Sequence, residues 1–102
     1  MKDISVTELK QLMDSNSDIA LLDVREPDEH AEFNFGGLLF PLGRIMSFQL
    51  EDIEDLKDRE VYVYCRSGKR SMQACMILEQ AGFQHVNNVT GGALAWQEQI
   101  GK

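Results

Sequence analysis

The sequence predicts an α/β domain built on a mostly parallel sheet. Strand-like apolar runs alternate with segments of helical period along the chain. The run IALLDV (19–24) is continuously apolar up to its aspartate, as in a strand buried on both faces. Helix starts and stops, a capping box, a proline and a glycine, fall between such runs.

The elements follow in order. Ser5 and Glu8 in SVTE form a capping box, and Val6, Leu9, Leu12 and Met13 repeat at helical spacing behind it. After the strand at 19–24, Pro27 suits the first position of a short helix over EPDEHAEF, with Glu26 placed to cap it. LLFPL (38–42) reads as a short strand stopped by Pro41. Residues 44–57 read as a helix with Ile45, Phe48, Leu50, Ile53 and Leu56 on its apolar face; acids 51, 52, 54 and 55 lie mostly on its wet side. VYVYC (61–65) has strong strand propensity. A helix over 71–81 carries Met72, Cys75, Met76 and Leu78 and stops at Gly82. HVNNV (85–89) is a last strand, and Gly91 and Gly92 lead into a final helix with Leu94, Trp96 and Ile100.

A length of 102 residues supports one domain, spanning 1–102, with a single core. The balance of 17 acids against 10 bases argues against nucleic acid or an anionic membrane as partner. MKDISVTELK has no apolar run, so neither a signal peptide nor a membrane anchor is expected. Two cysteines without secretory context read as thiols in a reducing compartment, which makes a cytoplasmic protein the expectation.

Against this acidic background, residues 61–78 contain no Asp or Glu, yet Arg66, Lys69 and Arg70 follow Cys65 directly. In an open parallel sheet, ligands bind beyond the strand C-termini, which is where Cys65 falls. Gly68 lets the chain curl between the strand and the next helix, whose free N–H groups aim back at the sulfur. Such a loop is an anion nest, and a thiol at its centre is expected to ionise near neutral pH. The bases then serve one thiolate and an anionic substrate. With no His-Asp pair nearby in sequence, the loop itself must make the thiolate. A buried, inert cysteine would need no such surroundings.

Together, LLDVREPDEH, GGLLFPLG, VYVYCRSGKRS and NVTGGALAW resemble a single-domain rhodanese, a sulfurtransferase, over nearly the whole chain and in the family's motif order. The resemblance implies a five-stranded, mainly parallel sheet flanked by helices on both faces. It implies that Cys65 takes a sulfane sulfur from a small anionic donor such as thiosulfate, forms a persulfide, and passes the sulfur to cyanide or to a thiol acceptor, which can be a protein. Arg66 and Arg70 would hold the donor, Lys69 would help at the rim, and backbone N–H groups of residues 66–70, through Ser67 and Gly68, would stabilise the charge. Asp23, Arg25 and Ser71 would support the site. No cofactor is implied. One departure stands in FNFGGL: Asn34 lies where the family commonly has His, with Phe33 in place of a Gly, while Gly37 is kept. Asn cannot titrate near pH 7, so that position reads as architectural.

Two rival readings were weighed. Phosphatases of this fold place Arg after Cys and five intervening residues; here Arg70 follows after four, a tighter ring poorly suited to tetrahedral phosphate. The same spacing weighs against an arsenate reductase. A non-catalytic interaction module with the same fold would be free to lose Cys65 and its bases. Among other residues, Cys75 reads as core packing rather than a resolving thiol, and His30 and His85 as solvated. Trp96 reads as core or rim packing, and the acids at 51–55 as a solvated face. No C-x-x-C and no His at ligand spacing points to a metal.

Overall fold

The computed structural model describes residues 1–16 and 18–101. Five parallel strands form one sheet: β1 (Lys2–Ile4), β2 (Ala20–Asp23), β3 (Leu38–Leu39), β4 (Glu60–Tyr64) and β5 (His85–Val89), in the order β1-β5-β4-β2-β3. Five helices connect or follow them: α1 (Val6–Ser15), α2 (Pro27–Glu32), α3 (Leu42–Met46), α4 (Lys69–Gln80) and α5 (Gly92–Gln99), with a 3-10 helix at Glu51–Leu56. Among the described residues no helix is long and apolar enough to cross a membrane.

The central strands are buried on both faces, and their side chains alternate between two cores. Ala20, Leu22, Val24, Val61 and Val63 pack on one side with Ile45, Ile53, Ala74, Cys75 and Leu78. Leu21, Tyr62 and Tyr64 pack on the other with Val6, Leu9, Ala93 and Trp96. Phe35 is stacked between Tyr64 and Trp96, at centroid distances of 3.9 and 4.1 Å. Stacking of this kind adds about 0.5–1.5 kcal/mol per pair beyond the burial itself. The capping box at Ser5 forms as expected, with Glu8 N–H donating to Ser5 Oγ and Ser5 N–H to Glu8 Oε1, both at 3.1 Å. Glu26 is the N-cap of α2, its N–H held by Glu29 Oε1 at 3.0 Å.

Two expectations are corrected, and one strand is added. The helix expected over 44–57 is broken into α3 and the 3-10 helix, because the chain turns at Phe48 with φ of +56°. Phe48 is therefore 57% exposed instead of lying on an apolar face, while Ile45, Leu50 and Ile53 are buried as expected. α4 is rotated from the expected phase: Ser71, Ala74, Cys75 and Leu78 face the sheet, while Met72 and Met76 are exposed. The small Ser71 and Ala74 let the start of the helix approach the strand ends. The strand β1 lies in KDI, which carries no strand signal of its own. It has three residues, two of them exposed, and pairs only with β5.

Phe48 occupies a left-handed conformation that bulky residues adopt at a cost, and it covers little surface. Phe48→Gly is expected to raise the unfolding free energy by about 1 kcal/mol, read as a higher urea midpoint at unchanged slope. A lower midpoint would mean that the ring packs in the folded state.

Candidate active site

Strand β4 delivers Cys65 to the C-terminal edge of the sheet, and the chain then curls through Arg66, Ser67 and Gly68 into α4. Gly68 is the N-cap of α4 at φ +107°, a conformation that suits only glycine well. Its N–H donates to Cys65 Sγ at 3.1 Å, and its carbonyl accepts from Met72 N–H at 3.1 Å. Ser71 Oγ lies 3.5 Å from the sulfur and is itself fixed by Gly68 O at 3.1 Å and by Asn88 Oδ1. Cys65, Ser71 and Asn88 are all buried. Burial pushes the Cys65 thiol up. Hydrogen bonding with the Ser71 hydroxyl, which accepts from the thiol and can turn its own proton to the thiolate, and with the N–H groups of Ser71, Gly68 and Ser67 more than offsets it, so the thiol is held below its ordinary value.

The loop is clamped from outside by the start of α5. Ala93 N–H donates to Cys65 O at 2.9 Å and Leu94 N–H to Arg66 O at 3.0 Å. A Cβ on Gly92 would stand 2.2 Å from Cys65 O and 2.9 Å from Arg66 O, so only glycine permits this approach. This is the physical reason for a glycine at position 92, at the start of the last helix.

Asp23 and Arg25 form a buried pair with each other at the end of β2. Arg25 Nε and Nη2 donate to the two Asp23 oxygens at 2.9 and 2.8 Å, and Nη2 also reaches Phe33 O at 2.6 Å. His30 is corrected from a solvated residue to a member of this group, its Nδ1 2.7 Å from Asp23 Oδ2 and its side chain 25% exposed. Burial raises the Asp23 carboxyl, but Arg25 and His30 hold it below the usual range. His85 is half exposed, 3.7 Å from Glu60.

The basic residues diverge. Arg66 lines a cleft of about 430 Å³ with Arg25, Glu29, Glu32, Phe33 and Leu94. Lys69 is exposed. Arg70, expected on the donor, instead makes a two-pronged ion pair with Glu29, Nη1 to Oε1 and Nη2 to Oε2 both at 2.8 Å. Cys75 lies in the core, where burial pushes its thiol up to about 12. Asn34 holds a turn, donating to His30 O and accepting from Gly36 N–H, both at 2.9 Å. Among the described residues no group of three or more His, Cys, Asp or Glu comes together to hold a metal.

Sequence reasoning missed Asn88, Glu29 and His30. The polar pair Asn87-Asn88 inside an otherwise apolar strand was a signal for the first, since a buried amide needs partners. Glu29 and His30 carried no signal beyond their place in a helix near the expected site.

An open parallel sheet with one buried thiol at its C-terminal edge, held against the backbone N–H groups of the loop that follows, defines an α/β protein of this strand-loop-helix type. The family model described as a rhodanese-like domain matches residues 5–99. A protein of Allochromatium vinosum named "Sulfurtransferase" is 36% identical over 96 residues, covering 94% of this chain and 88% of that protein. The fold is similar to that of a rhodanese-like domain protein from Staphylococcus aureus, with a TM-score of 0.80 and 30% identity over 94% and 91% of the two chains. It is also similar to the human single-domain sulfurtransferase TSTD1, with a TM-score of 0.80 and 25% identity over 97% of each chain. The chain belongs to the rhodanese-like domain family.

Because the Cys65 thiol is held low, thiolate absorbance at 240 nm should rise with pH at a midpoint below that of a free cysteine. Ser71→Ala should move that midpoint upward, and Cys65→Ser should abolish the step. A wild-type midpoint at or above the free-cysteine value would contradict the assignment of these hydrogen bonds.

Proposed function

We propose that the protein is a sulfurtransferase that carries a sulfane sulfur on Cys65, from thiosulfate or a similar donor to cyanide or a thiol acceptor. The observation that carries this reading is the Cys65 sulfur itself: a buried thiol in contact with Gly68 N–H and Ser71 Oγ, at the C-terminal edge of a parallel sheet. Family membership and the resemblance to proteins named sulfurtransferases support the same chemistry.

The Cys65 thiolate attacks the outer sulfur of thiosulfate. A new S–S bond forms, the old one breaks, and sulfite departs with its electron pair. The product is a Cys65 persulfide whose terminal sulfur carries the negative charge. N–H groups of the loop, preorganised by α4 and α5, accommodate that charge without reorganising at the moment of reaction. In the second half, cyanide or an acceptor thiolate attacks the terminal sulfur, leaves as thiocyanate or a new persulfide, and returns Cys65 to the thiolate. Two half-reactions through one covalent carrier predict double-displacement kinetics. Arg66, at the cleft, is the cation placed to meet an incoming anion. A reducing compartment, the cytoplasm by default, suits a chain whose two cysteines are free thiols.

The reading is tested by incubating reduced protein with thiosulfate, removing the excess, and measuring intact mass beside Cys65→Ser. The wild type should gain one sulfur atom and release it to cyanide as thiocyanate, and the variant should do neither. No gain in the wild type would overturn the reading for this donor, and the same gain in both would overturn the assignment to Cys65.

A further inference from the structure

Arg70 is one of three bases that the sequence sets beside Cys65, yet its charge is already matched. Glu29 on α2 accepts from both terminal nitrogens of Arg70 and also from Glu26 N–H. Glu29 lines the cleft, and the two side chains are 35% and 26% exposed, so the pair is partly shielded from water. Hydrogen bonding to Arg70 holds the Glu29 carboxyl down to about 2, so it stays charged through any working pH. Arg25 is likewise matched, by Asp23. Among the described residues, Arg66 and Lys69 make no ion pair, and neither does Glu32, which lines the same cleft as Arg66. A compact dianion entering here meets two arginines, of which Arg25 is already matched by Asp23, and two carboxylates, Glu29 held by Arg70 and the unpaired Glu32. A donor that carries an ammonium group beside its carboxylate meets Glu32 as well as Arg66, with Phe33, Ala93 and Leu94 among the other lining residues.

We infer that Glu29 is a specificity-determining residue: by occupying Arg70 it handicaps compact dianionic donors and favours sulfur carried on a zwitterionic, amino-acid-like thiol. This rests on the sulfur-transfer reading and says which donor class the site prefers. Thiosulfate remains a substrate, but it must compete with a carboxylate that is held in place.

The test compares thiosulfate with cysteine persulfide in wild type, Glu29→Gln and Glu29→Asp. Glutamine keeps an oxygen for Arg70, so the strut between α2 and the loop persists while the charge goes. Removing one carboxylate near the donor should lower the thiosulfate KM about tenfold, with kcat nearly unchanged. The KM for cysteine persulfide should not fall, and Glu29→Asp should bring no gain with thiosulfate. An unchanged or higher thiosulfate KM in Glu29→Gln, or an equal loss of kcat with both donors, would make Glu29 a strut only and overturn the inference. Calorimetric affinity for thiosulfate, measured in Cys65→Ser with and without Glu29→Gln, separates the two claims. If the wild type takes sulfur from neither donor, the transfer reading fails; tighter binding in the double variant still supports the role of Glu29, and unchanged binding removes it.

Discussion

The site depends on where two carbonyl groups point. Cys65 O and Arg66 O are pinned to the first turn of α5 through Ala93 and Leu94 N–H. In a trans peptide the N–H points opposite to the carbonyl, so pinning those oxygens outward turns the N–H groups of Arg66 and Ser67 the other way. Ser67 N–H is among the groups that lower the Cys65 thiol. The approach is possible only because Gly92 has no side chain. One close backbone contact thereby faces the start of α5 with carbonyls while it helps to line the sulfur with donors.

A second set of contacts positions α2 against the same loop. The buried Asp23–Arg25 pair, joined by His30, ties α2 to the end of β2, and Glu29 ties it to Arg70. Removing one member of the buried Asp23–Arg25 pair would leave an unmatched charge, at a cost of about 3–5 kcal/mol. These contacts also set the electrostatics of the cleft. Of the four cations near Cys65, two are matched by carboxylates: Arg25 by Asp23 two residues away, and Arg70 by Glu29 brought in on α2. The local excess of positive charge in the sequence is therefore smaller in the folded protein than the count of bases implies.

The sheet could be read from the sequence because its central strands are apolar on both faces and are separated by clear caps. Cys65, Gly68 and Ser71 could be read because the chemistry needs them adjacent in sequence. What escaped depends on tertiary context. Lys2–Ile4 is a strand only because β5 offers an edge; nothing in KDI demands it. Met72 and Met76 fit a helical period, but the phase of α4 is set by the small Ser71 and Ala74 at the loop. Phe48 looked like a core residue, and the break beside it cannot be seen in an apolar period. Glu29 is one of 17 acids, and only the fold selects it as the partner of Arg70. Asn34 was expected to be architectural, and its two hydrogen bonds hold a turn.

The claim on which the account turns is that loop N–H groups hold the Cys65 thiolate. A pH titration followed by amide proton and nitrogen NMR shifts tests it at the bond concerned. The Gly68 amide, 3.1 Å from Sγ, should shift downfield as Cys65 ionises, with the same midpoint as the thiol, and should stay flat in Cys65→Ser. A Gly68 amide that does not respond while Cys65 loses its proton would contradict the account.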